Sequence, residues 1–186
     1  MLRAASVLVL LLELAIGAPA TAREVAGVPV PETLLVGGRT LKLNGAGLRT
    51  VYFVRVYVGA LYLEQQSADA VALLAADAPW AVTLVFRRDV GHEKILEGFV
   101  SAFEQNSPGQ LDRLRPQLEV FHAVLQDLKE GHALRLDYLP GAGTMLTVPG
   151  GAAATVPGRS FGEAVLRTWL GDHPADARLK DALLGR

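Results

Sequence analysis

Gly158-Arg159-Ser160-Phe161-Gly162 matches the G-x-S-x-G turn that exposes a nucleophilic serine between a strand and a helix. Acyl transfer there would need an acid and then a histidine downstream. Only 26 residues follow Ser160, and His173 is their sole histidine. Ser160 with Glu163 three residues on is read instead as an S-x-x-E capping box, whose hydroxyl and carboxylate each accept one orphan N–H. The four histidines, His92, His122, His132 and His173, show no i,i+4 pair and no H-E-x-x-H spacing. Adjacent His92 and Glu93 diverge on a helix, so only a tertiary cluster would bind metal. We therefore expect no catalytic residue, no metal ligand and no cofactor. Gly45-Ala46-Gly47 precedes a strand rather than a helix, which fits a bulge or tight turn and offers phosphate no helix N-terminus.

A run from about Arg49 to Glu64, rich in valine, tyrosine and phenylalanine, is the more informative segment. Read as one long strand, it places Val51, Phe53, Arg55, Tyr57, Gly59 and Leu61 on one face, with Arg49 in the same parity. A guanidinium on an apolar surface is costly unless it meets an anion or several acceptors. An arginine beside a tyrosine can hold a carboxylate or phenolate by charge-assisted hydrogen bonds. Spacing leaves the alternative open, and somewhat favours it: internal pairing with acids such as Glu64 or Asp137, or snorkelling at the sheet rim.

These residues need a scaffold, and the 186-residue composition bounds it: 51% apolar, 20% charged, no cysteine, and 18 basic against 19 acidic side chains. A formal charge of −1 offers no general grip on nucleic acid, and aromatics at 6% give few stacking platforms. Without cysteine there are no disulfides, thiolate zinc sites or iron–sulfur clusters. Arg3, the apolar run from Val7 to Gly17 and Ala20-Thr21-Ala22 read as a secretion signal over residues 1–22. The run is too short to span a membrane, so residues 23–186 are expected to form one exported domain without a stable anchor, periplasmic if the source is Gram-negative. An uncleaved anchor is the alternative.

Along that domain, Leu34–Val36 and Leu41–Leu43 flank Gly37-Gly38-Arg39-Thr40 as a hairpin with a four-residue loop. Ser67 is read as the cap of a short helix carrying Val71, Leu73 and Leu74, and Ala81–Phe86 as a strand. Asp89 is read as the cap of a helix to about Gln105, with Ile95, Leu96, Phe99 and Phe103 at helical spacing. A further helix is expected over Leu111–Leu128, with Pro116 at a start or kink. Strands over Ala133–Leu139, Thr144–Val148 and Ala153–Val156 follow, then helices over Phe161–Leu170 and about Ala175–Leu184. Strands, helices, strands, helices predict an α+β fold with a mostly antiparallel sheet.

Leu43-Asn44-Gly45-Ala46-Gly47-Leu48-Arg49, followed by Arg55-Val56-Tyr57-Val58-Gly59-Ala60-Leu61-Tyr62-Leu63-Glu64, resembles the chalcone isomerase superfamily. Phe161–Leu166, Gly171, Pro174 and Leu179 resemble its C-terminal helices, and bacterial exported members look most similar. The resemblance implies an open-faced β-sandwich: a large antiparallel sheet with helices on one face and a ligand cleft between. It also implies that Arg49 matches the arginine holding the substrate phenolate in the plant enzyme. Where that enzyme has a water-positioning threonine, this chain has Tyr57, as in the fatty-acid-binding branch, which pairs the arginine with a tyrosine. The enzyme's tyrosine and asparagine on the following helix match Lys94 and Ser101, or Ile95 and Ala102, and are absent on either register.

Together these readings predict a non-catalytic binder of an amphipathic carboxylate or phenolate, such as a fatty acid. Arg49 and Tyr57 would hold the head group, and Phe53, Leu61 and Phe99 would wall the tail. An intramolecular lyase acting on a phenolic or conjugated substrate is one alternative, and a scaffold acting through protein partners is another.

Overall fold

A computed structural model describes residues 22–186; the signal reading falls almost wholly outside them. Strands β1 (Ala22–Val25) and β2 (Val28–Pro31) form a small antiparallel hairpin. A seven-stranded antiparallel sheet then runs in chain order through β3 (Thr33–Val36), β4 (Arg39–Val51), β5 (Val54–Leu63), β6 (Trp80–Phe86), β7 (Ala133–Leu139), β8 (Gly143–Thr147) and β9 (Ala153–Val156). The helices are α1 (Ala70–Ala75), α2 (His92–Asn106), α3 (Leu111–His122), α4 (Arg159–Leu170) and α5 (Ala177–Leu183). Among the described residues no helix is long and apolar enough to cross a membrane.

Period-two alternation gives the sheet two buried faces. Tyr57, Leu61, Leu84, Phe86, Leu134 and Leu136 meet the helices, while Val58, Ala60, Tyr62 and Ala81 pack with Val28 and Val30 of the small hairpin. The helices thus lie on one face, and the α+β expectation holds. Phe99 and Phe103 of α2, Phe121 of α3 and Phe161 of α4 interlock edge to face at centroid distances of 4.8–6.4 Å.

Three local expectations change. Arg39 and Thr40 belong to β4, paired with Val36 and Leu35, so the first turn is Gly37-Gly38 alone, both at positive φ as a tight hairpin requires. The segment from Arg49 to Glu64 is not one strand, because it folds back at Tyr52-Phe53, with Tyr52 at φ 54° and Val51 paired to Val54. Helix α3 stops at His122, Pro116 lies inside it, and Leu128 instead forms a two-way backbone bridge to Val90.

The caps differ as well. Asp69, not Ser67, caps α1; α2 starts after Gly91, with its first N–H donated to Asp127 rather than Asp89. The capping box does not form: α4 starts at Arg159, which puts Ser160 inside the first turn, and Glu163 bonds Arg167 at 2.8 Å.

Candidate binding cleft

One extra residue in β4 decides where Arg49 points. Leu43 pairs with Tyr62 and Gly45 with Leu61, so Asn44 is bulged out and the side-chain parity of β4 switches. Leu41 and Leu43 therefore face the small hairpin, whereas Gly45, Gly47 and Arg49 face the helices. Asn44 is fixed by bonds to Ser67 N, Ser67 O and Leu183 O at 2.7–3.0 Å. Helix α5 lies against the glycines so closely that a Cβ on Gly45 would stand 2.1 Å from Ala182 O, and one on Gly47 2.6 Å from Ala182 Cβ. Bulge and close approach together account for the Gly-Ala-Gly motif.

Beyond the glycines, Arg49 pairs directly with Tyr57 across the hairpin, its guanidinium carbon 5.6 Å from the ring centroid. Arg49 Nε donates to Ala175 O at 3.4 Å, and among the described residues no carboxylate forms a salt bridge with it. The acids that could have neutralised it are taken: Glu64 by Arg39 at 2.7 Å, Asp137 by Arg135 at 2.8 Å. Asp176, the nearest by sequence to Ala175, caps α5 and accepts from Thr50 N. Tyr57 Oη accepts from Trp169 Nε1 at 2.9 Å, which leaves the phenol proton to donate elsewhere. Burial pushes the Tyr57 hydroxyl up from its ordinary value, against the opposing pull of Arg49, so it stays neutral at physiological pH.

Arg49, Tyr57 and Trp169 line a cavity of about 100 Å³, walled by Val56, Leu84, Phe86, Val90, Ile95 and Phe99, with Lys94 at its rim. Thr168 also lines it, and its buried hydroxyl has no hydrogen-bond partner among the described residues. Sequence reading missed this residue, since a threonine on an amphipathic helix carries no signal that its hydroxyl is unpaired. Of the expected walls, Phe99 is in place. Leu61 lies in the core away from the cavity, and Phe53 is 99% exposed at the hairpin tip. Arg55 is exposed, as expected of an arginine at a rim. Ile95 and Ala102 are the inward residues of α2, while Ser101 is exposed and Lys94 bonds Glu97 at 2.6 Å.

Ser160 gains no catalytic partners: it borders an exposed groove with Glu163 and Arg167, which bond each other. Two of the four histidines do meet in space. His92, Glu93 and His122 bring one ligand atom each within 4.8 Å of one another.

The solved structure of a fatty-acid binding protein from Arabidopsis thaliana superimposes with a TM-score of 0.65 over 90% of this chain and 94% of that one, at 16% identity. At that identity the likeness speaks for the fold alone. No curated protein matches. The profile of the chalcone isomerase-like family spans residues 22–185, which covers the sheet, the cleft and α5, and the chain belongs to that family.

Proposed function

We propose that this protein binds an amphipathic anion, such as a fatty acid, without transforming it. The observation that carries the reading is a guanidinium with no carboxylate partner among the described residues, beside a neutral phenol and an unpaired buried hydroxyl, on a cavity whose remaining lining is mostly apolar with Lys94 at its rim. Arg49 would hold a carboxylate, with Tyr57 and Thr168 donating to it, and the fatty-acid binding of the Arabidopsis relative points the same way. Tail burial would supply most of the affinity, at ~0.8 kcal/mol per methylene.

The cavity's size constrains the pose. At about 100 Å³ it is smaller than the ~150 Å³ apolar cavity that accepts benzene. It takes a head group and the first methylenes, and a longer tail runs out along the groove of Val51, Val54, Val56 and Val90. On α2 the inward positions are Ile95 and Ala102, not the tyrosine and asparagine that the isomerase reading would want there.

The protein is also read as exported, with residues 1–22 removed; N-terminal sequencing of periplasmic material should begin near Arg23. Native mass spectrometry of the purified protein tests the binding. A co-purifying or added fatty acid should be retained by the wild type and lost in Arg49→Ala. An empty protein indifferent to every chain length ends this reading and leaves the lyase and partner-scaffold alternatives.

A further inference from the structure

We infer that His92, Glu93 and His122 form a binding site for a divalent transition metal such as zinc, away from the cleft chemistry. Glu93 Oε1 lies 3.3 Å from His92 Nε2 and 3.9 Å from His122 Nε2. Ligand bonds of ~2.0–2.2 Å set tetrahedral ligands roughly 3.3–3.5 Å apart, so small rotations bring all three onto one ion. The second observation lies behind the rings. Asp127 Oδ1 is 2.7 Å from His92 Nδ1 and also accepts the His92 backbone N–H, while Glu119 Oε2 is 3.7 Å from His122 Nδ1. At His92 the Asp127 carboxylate on Nδ1 fixes the tautomer and aims the Nε2 lone pair outward, the arrangement metal-bound histidines use, whereas Glu119 stands beyond hydrogen-bond distance of His122. The two rings lie 6.0 Å apart and nearly parallel. The Val90–Leu128 bridge holds the start of α2 near the end of α3, so a bound ion would pin the turn that leads into Lys94 and Ile95 at the cleft.

Isothermal titration of untagged protein with zinc chloride, beside melting curves with zinc or EDTA, tests this. The wild type should bind one zinc and melt higher with zinc than with EDTA. Glu93→Gln and His122→Ala should each lose at least tenfold in affinity while melting like the wild type in EDTA. Absence of stoichiometric zinc in the wild type, or equal affinity in both variants, overturns the site.

A different observation carries a second inference, which rests on the lipid-binding reading: we propose that the β4–β5 tip docks on an anionic lipid surface. Tyr52 and Phe53 are 92% and 99% exposed, flanked by part-exposed Val51 and Val54. Turn chemistry does not explain Tyr52, because its positive φ favours glycine or asparagine over tyrosine. Arg55 and Arg88 stand exposed at the same sheet end, and neither has a salt bridge among the described residues. Aromatic side chains with flanking guanidiniums suit the interface of a negatively charged bilayer. The groove under the tip contains Val56, Val90 and Lys94, which also line the ligand cavity. A docked tip would therefore place the cleft mouth at the lipid, and a tail could pass without crossing water.

Co-sedimentation with vesicles of phosphatidylcholine, with and without phosphatidylglycerol, tests it. The wild type should pellet with the anionic vesicles and release at high salt, and the double variant Tyr52→Ser/Phe53→Ser should stay in solution. Arg49→Ala should pellet as the wild type does while retaining no fatty acid, which separates failure of the ligand reading from failure of the docking one. A wild type that ignores anionic vesicles, or a tip variant that pellets equally, overturns the proposal.

Discussion

Arg49 and Tyr57 oppose each other across the β4–β5 hairpin, and they share a face because Asn44 adds one residue to β4. Without that bulge the guanidinium would point toward the β1–β2 hairpin, where the apolar side of Leu41 and Leu43 has no use for it.

Replacing Arg49 should therefore affect binding more than folding. Its one side-chain hydrogen bond among the described residues, to Ala175 O, is long and part-buried, so Arg49→Ala should cost about 1 kcal/mol of stability or less. Loss of a charge-assisted bond should weaken carboxylate binding by about 1.5–3 kcal/mol, roughly ten- to a hundredfold. Calorimetric titration with a soluble fatty acid, beside a denaturant melt, checks both halves.

Thr168→Val should behave in the opposite sense. The unpaired buried hydroxyl costs the empty protein on the order of 1 kcal/mol, and valine keeps the shape while removing it. The urea midpoint should hold or rise, and fatty-acid affinity should fall severalfold. A lower midpoint with unchanged affinity would remove Thr168 from the site.

The glycines of β4 are predicted to be intolerant of any side chain. Gly45→Ala sets a methyl against the Ala182 carbonyl, which is backbone and cannot swing away, so α5 must lift. Overpacking of this kind costs about 1–3 kcal/mol. Gly98→Ala, at a position where an added Cβ meets nothing within 4 Å, is the matched control and should be neutral or slightly stabilising. Thermal melts of the two variants decide it.

Alkaline stability should reflect Tyr138 and Tyr57. Burial and a 2.5 Å hydrogen bond to Asp77 push the Tyr138 hydroxyl up to about 12, and burial raises that of Tyr57. A folded value above the unfolded one means the stabilisation is whole below about pH 10 and is lost as pH rises toward the folded value. Unfolding free energies measured from pH 8 to 12 should fall steeply only above 10. In Tyr138→Phe that slope should be shallower.

Much of this architecture was legible in the chain. The order of strands and helices followed from glycine pairs, β-branched runs and the Ile95, Phe99, Phe103 spacing. Arg49 and Tyr57 were found as a pair, but through a mistaken geometry: counting in twos along one strand joined residues that meet across a hairpin. The Tyr52-Phe53 turn was invisible because neither residue has turn chemistry, and the same error put solvent-facing Phe53 inside the cleft. Three caps were misplaced because each depends on a helix start known to a single residue. The His92–His122 approach depends on a bridge between distant segments, Val90 and Leu128, that no local pattern encodes.

Helix α5 has a consequence in time. Asn44 bonds Leu183 O across 139 residues of sequence, and Arg49 bonds Ala175 O across 126. While the chain is still being made, β4 and β5 can pair long before α5 exists. Their glycine track and arginine then stand uncovered until the last residues arrive. The proposed ligand capture would accordingly be a property of the finished chain, and a protein cut short before Ala175 would carry Arg49 and Tyr57 without the backbone that holds the guanidinium in place.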